Sequence, residues 1–272
     1  MKFHTSVLSI LALTGSSSAF APTAAKPAFF SNSALKAYPT KSVGEEGTLE
    51  FRMQYTDADG KTISPWHDIP LEGSASGSYN MVVEIPKMTK AKMEIATKEE
   101  NNPIAQDIKK GKLRDYHGPI FWNYGCFPQT WEDPNVKHPE LEIFGDDDPI
   151  DVVEIGESAL SIGTVKEVKT LGCIAMIDDG ELDWKVLAIA LDDPLAAEYN
   201  DIDDVPDAIK DGIREWFRWY KTPDGKPLNG FGYDEKFLDA AETKKVIEEN
   251  NDAWKKLKKD GSEKLWLSPE NK

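Results

Sequence analysis

Thiols are scarce: Cys126 and Cys173 are the only cysteines in 272 residues. That excludes a disulfide framework, and both read as reduced, partly buried small residues rather than a bridge or a nucleophile. Long apolar runs are missing too. The stretch at residues 7–13 is too short to span a bilayer, and no other stretch could cross one. Basic charge is in deficit, with 32 Lys and Arg against 48 Asp and Glu, a formal net charge of −16. A chain this acidic, without a basic stripe, should avoid nucleic acid and anionic membranes. If it handles an anionic substrate, it must place cations at the site. There is no Gly-rich phosphate loop and no base-stacking pocket for a nucleotide. Apolar side chains are not lacking. Hydrophobic residues make up 40%, with 8 Trp and 11 Phe, so a real core can form.

Acid is absent from one region only. Residues 1–37 contain Lys2, Lys26 and Lys36 and no Asp or Glu. A short basic start, the apolar run at 7–13 and the small residues Ser16 to Ala19 form the pattern of a cleavable signal peptide. Residues 20–37 continue Ala/Ser/Lys-rich, like a transit peptide. The junction around Phe20 resembles the bipartite presequence of algae with secondary plastids, which implies delivery to the plastid stroma; plain secretion is the alternative. Without those three lysines the net charge moves from −16 to −19. Residues 38–272 are expected to form one domain with its core at about 48–258.

Within that domain, the alternating segment at 48–56, those at 81–85 and 92–95, and the Val- and Ile-rich ones at 150–155, 164–168, 173–177 and 184–189 read as short strands. Gly, Pro and Asp clusters separate them. Helical spacing appears late: Ile209, Ile213, Phe217 and Tyr220 predict a helix over 205–220. A second helix is predicted over 234–259, with Phe237, Ala241, Ile247, Trp254 and Leu257 as its apolar stripe. The expected class is mainly β with flanking helices (α+β), a β-barrel with helices packed on its outside.

The densest charge lies at residues 145–152, GDDDPIDV, with four aspartates in six positions. Asp146 and Asp148 would share one side of an extended segment, and Asp151 opens the strand beyond Pro149. Converging carboxylates suit a hard divalent cation, Mg²⁺ above all; a solvated acidic turn is the plain alternative. A calcium loop starting at Asp146 fails, because position six is Asp151 where Gly is needed. More charges follow the same logic. Asp183 and Lys185 share strand parity in IDDGELDWKV beside Asp178, and Lys92 and Glu94 share a strand face after Glu84. Arg114 in KKGKLR, Tyr124 in WNYG and the pair Tyr220-Lys221 complete the set.

GDDDPIDV, MVVEIPK with AKMEI, KKGKLR, WNYGCFPQTWEDP, DDGELDWKV and WFRWYKTPDGKP together resemble the soluble family I inorganic pyrophosphatases in their eukaryotic form. The similarity runs in order from about residue 48 to 257. It implies a five-stranded, OB-like closed barrel that hydrolyses inorganic diphosphate with several Mg²⁺ ions, Mn²⁺ or Zn²⁺ being substitutes. By that resemblance, Asp146, Asp151, Asp178 and Asp183 hold metal, and Glu84 and Glu94 belong to the acidic lining. Asp148 activates the attacking water, and Lys92, Arg114, Tyr220 and Lys221 hold phosphate. Lys185 and Tyr124 support the ligands and the nucleophile. Relatives assemble as homodimers or larger, although no motif here marks a contact surface. Two features depart from animal and fungal relatives: Ile120 stands where they carry a tyrosine, and the segment from Arg114 to Tyr124 is shorter. The hydroxyl is missing or comes from Tyr116, and neither residue is given a role. Asp147 should be peripheral. A non-catalytic metal-binding module would need the carboxylates but has no use for Lys92, Arg114, Tyr220 and Lys221.

Overall fold

The computed structural model describes residues 38–269. The presequence read at 1–37 therefore lies outside the described residues. Five strands carry the architecture: β1 (Tyr79–Ile85), β2 (Asn123–Cys126), β3 (Asp151–Glu154), β4 (Val165–Asp178) and β5 (Glu181–Ala190). They pair in the circular order β1-β2-β3-β5-β4 and back to β1. Every seam is antiparallel except β3 with β5. The ring closes as the OB-like expectation requires, so no ring strand offers a long free edge. Both faces of the strands are covered. Val152, Val186 and Ala188 fall in one apolar cluster, and Val153, Leu187 and Ile189, one step along, in another. That two-sided burial explains the near-continuous apolar run at the end of β5. A second sheet of short strands, including Arg52–Thr56, Met93–Ile95 and Ile104–Gln106, lies outside the ring.

Three element expectations need correction. The segments at 164–168 and 173–177 are one strand, β4, whose register shifts between Thr170 and Gly172. Gly172 looks like a break, but its bare Cα is what the packing needs: a Cβ there would meet the Leu238 carbonyl oxygen at 2.6 Å. Strand Arg52–Thr56 covers only the second half of the segment at 48–56, and Thr40–Val43 adds an unexpected partner to it. The second long helix, α2 (Ala240–Asp260), begins six residues later than predicted. Leu238 is held extended by two backbone hydrogen bonds to Cys173, and Asp239 then caps the helix by accepting the Glu242 N–H at 2.8 Å. Thr243, Val246, Ile247, Trp254 and Leu257 form the buried stripe of α2, whereas Ala241 is exposed. The first long helix, α1 (Asp207–Trp219), matches the predicted one within a turn and buries Ile213 and Phe217. Both cysteines are free and buried, as expected.

Candidate active site

Strand register assembles the site. Asp151, first in β3, lies opposite Cys126 of β2 and opposite Lys185 of β5. Lys185 is almost wholly buried and forms ion pairs with both Asp151 and Asp183. Burial pulls its pKa down, but the two carboxylates outweigh that and hold it well above the ordinary lysine value. The Tyr124 hydroxyl donates to Asp151 and accepts from the Lys185 amine at 3.0 Å. At the far end of the β4–β5 hairpin, Asp179 and Gly180 have φ of 50° and 96°, the two left-handed positions of a type I′ turn. That turn swings Asp178 towards the end of α1. There Tyr220 donates to its carboxylate at 2.9 Å and Lys221 forms an ion pair with it.

The aspartate loop is not an extended segment. Asp147 has φ 76°, and Asp146 Oδ1 accepts the Asp148 N–H at 3.1 Å, so Asp146 and Asp148 converge through a turn. Backbone bonds tie the loop to Glu132: Glu132 N–H to the Asp148 carbonyl at 2.9 Å, and Asp147 N–H to the Glu132 carbonyl at 3.0 Å. Gly145 permits that approach, since a Cβ there would stand 2.4 Å from the Glu132 carbonyl carbon. Trp131 donates its indole N–H to Asp147 at 3.1 Å, which holds that side chain aside and leaves it peripheral, as expected.

Cations line the site among the acids. Lys92 pairs with Glu94 and lies 3.5 Å from Asp107, to which Arg114 donates at 2.8 Å. Every side chain given a role from the sequence lines one cavity of about 230 Å³: the acids Glu84, Glu94, Asp146, Asp148, Asp151, Asp178 and Asp183, the cations Lys92, Arg114, Lys185 and Lys221, and the tyrosines Tyr124 and Tyr220. Tyr116 lines it too, while Ile120 is fully buried in the core. Crowded acids disfavour their own charge. Burial, reinforced by Glu94 and Asp151, lifts Asp148 to about 7. Burial and Asp151 lift Asp183 to about 7 against the pull of Lys185. Burial and neighbouring carboxylates push Asp146 and Glu84 well above the usual range.

Glu132 is the residue that motif reading missed. It is buried, its Oε1 accepts the Trp184 N–H at 2.9 Å, and its Oε2 has no partner among the described residues. Oxygens of Glu132, Asp146 and Asp183 all lie within 4.8 Å of one another. Its only signal in the sequence is its place in WNYGCFPQTWEDP, where it stands apart from the other site acids.

The profile of the inorganic pyrophosphatase family matches residues 81–255. The chain belongs to that family. It is 52% identical over 229 residues to the soluble inorganic pyrophosphatase 6, chloroplastic, of Arabidopsis thaliana, covering 81% of this chain and 76% of the relative. A chloroplastic soluble inorganic pyrophosphatase of Chlamydomonas reinhardtii is 51% identical, covering 82% and 80%. Among solved folds, the type I inorganic pyrophosphatase of Toxoplasma gondii superposes with TM-score 0.78 at 46% identity, over 81% of this chain and all of that one. A truncated vacuolar soluble pyrophosphatase of Trypanosoma cruzi, solved in complex with PPi, superposes with TM-score 0.77 at 40% identity, over 90% of this chain and all of that one. The pyrophosphatase match spans β1 to α2 and so takes in the whole lined cavity.

Proposed function

We propose that the protein hydrolyses inorganic diphosphate to two phosphates, using divalent ions held by the carboxylates of this cavity. One observation carries the reading: carboxylates and cationic side chains line a single cavity, interleaved as ion pairs. The donor set fits a hard divalent cation. It consists of carboxylate oxygens, the acids repel one another into raised pKa values, and a buried Glu132 oxygen lacks a partner. Mg²⁺ matches oxygen-only ligation, with Mn²⁺ or Zn²⁺ as substitutes. Asp146, Asp151 and Asp183 would hold it, with Asp178, Glu84 and Glu94 completing the lining and Glu132 behind them. When bound, such ions offset the substrate's charge and make a water acidic near neutral pH.

The chain's own groups do the rest. Asp148 takes the proton from the attacking water at a carboxylate oxygen. Lys92, Arg114, Tyr220 and Lys221 bind the phosphoryl oxygens, and Arg114 offers a two-pronged fork. Lys92 and Lys221 are paired with the site carboxylates Glu94 and Asp178 here, and Arg114 with Asp107 beside the cavity. Loading the site is then an exchange of partners, in which the carboxylates turn to cations from solution and the side-chain cations turn to the anion. Lys185 and Tyr124 keep Asp151 aimed into the cavity. The likeness to two chloroplastic relatives, together with the acid-free N-terminal segment, supports a plastid location. The test of activity is phosphate release from diphosphate, against ATP, with Mg²⁺ or with EDTA. The reading requires diphosphate to be cleaved in Mg²⁺, and cleavage to stop in EDTA. Equal rates in both would overturn it.

A further inference from the structure

We propose that the hairpin carrying Lys109, Lys110 and Lys112 is an electrostatic entrance that draws the diphosphate anion towards Arg114. This rests on the diphosphate reading above. Two short strands, Ile108–Lys109 and Lys112–Leu113, are joined by Lys110 and Gly111, with φ of 54° and 75°. Both values suit a type I′ turn, yet lysine occupies the first position instead of the usual Asn or Asp. The register sets Lys109 directly across from Lys112. Like charges facing each other in this way weaken a hairpin. Three lysines crowded on and beside a two-residue turn, in a chain of net charge −16, run against local stability and against the composition. Such a conflict points to a role outside folding.

The position supplies that role. At the hairpin's base, Arg114 N–H donates to the Asp107 carbonyl, and the Arg114 guanidinium holds the Asp107 carboxylate at 2.8 Å. Arg114 lines both the catalytic cavity and an open groove of about 420 Å³ beside it. Lys109, Lys110, Lys112 and Arg114 line that groove against two carboxylates, Asp115 and Asp224. Asp224 is taken up by Lys109 at 3.0 Å and by His117 at 2.8 Å. Among the described residues, Lys110 and Lys112 are exposed and form no ion pair. An anion approaching so acidic a protein is repelled at range. A local positive mouth reverses that within a Debye length of about 8 Å.

The experiment compares the full chain with Lys110→Asn plus Lys112→Gln. Asn tolerates the left-handed position, and losing charge relieves the hairpin. A control, Lys244→Gln plus Lys255→Gln on α2, removes the same charge elsewhere. Diphosphate hydrolysis in Mg²⁺ is followed as a function of ionic strength, with melting curves to confirm folding. The hairpin variant should lose about threefold to tenfold in kcat/KM at low salt, with a shallower salt dependence. Its kcat should stay within about twofold of wild type, and the control should match wild type. Hairpin and control variants behaving alike, or a loss confined to kcat, would overturn the inference while leaving the diphosphate reading standing. A wild-type chain that releases no phosphate would defeat that reading instead.

Discussion

Asp148 is buried beside Glu94 and Asp151, which in the metal-free chain lifts its carboxyl to about 7, and its carboxylate is the proton acceptor proposed for the attacking water. Asn keeps the shape and cannot accept the proton. Asp148→Asn should therefore lower kcat about 10²- to 10⁴-fold, while calorimetry shows divalent-ion affinity nearly unchanged. An unchanged kcat would remove Asp148 from its role. Glu132 predicts the opposite split. One of its oxygens is anchored on Trp184, next to Asp183, the other has no partner among the described residues, and the carboxylate has an oxygen within 4.8 Å of oxygens of Asp146 and Asp183. Glu132→Gln should weaken the binding of Mg²⁺ or Mn²⁺ about 10- to 100-fold by calorimetry. Affinity equal to wild type would leave Glu132 a purely structural hydrogen-bond acceptor for β5. These two carboxylates were unequally legible. Asp148 sits in a dense, spaced cluster whose chemistry can be read from the letters. Glu132 is fourteen positions earlier, and only the packing of its backbone against the aspartate loop reveals its place.

The element that matters most is that loop. Asp147 is left-handed, and Gly145 lies flush against the Glu132 backbone. Gly145→Ala would force the loop off the Glu132-Asp133 backbone, so we expect about 1–3 kcal/mol of lost stability in urea denaturation. Divalent-ion affinity should weaken with it. A variant as stable as wild type would show that the close approach is dispensable. Elements set by local pattern were the ones readable beforehand: β1, β3, β5 and α1 follow from alternation or from helical spacing. Those set by distant partners were not. The start of α2 is decided by Leu238 pairing with Cys173, more than sixty residues away, and β4 runs through a glycine that looks like a break. The turn at Asp147 also defeated the extended reading of the aspartates, although convergence of the two side chains was correctly expected.

Across the whole molecule, the site stores electrostatic repulsion that pH and metal ions should reveal. Asp148 and Asp183 are raised to about 7 in the folded chain, against about 4 for unfolded carboxylates. Between those values the folded state binds more protons than the unfolded one, so stability falls as pH rises from about 4 to about 7. Melting of the EDTA-treated protein should accordingly occur at lower temperature at pH 8 than at pH 5.5. Adding Mg²⁺ at a hundredfold excess over Kd should restore about 2.7 kcal/mol at pH 8. A melting temperature that rises with pH in EDTA, or does not respond to Mg²⁺, would contradict this. A five-stranded barrel is what the six ordered motifs imply by resemblance, but the ring order is not in the letters. β2 is not among the strands read from them, and it is ring register, as between Asp151 and Lys185, that brings the assigned side chains around one cavity.

The most direct test is an anomalous-scattering map from a crystal grown with Mn²⁺ and phosphate. The account predicts metal peaks among Asp146, Asp151 and Asp183, with the Arg114 guanidinium on a phosphoryl oxygen. A cavity without metal peaks, and Arg114 still turned to Asp107, would contradict it.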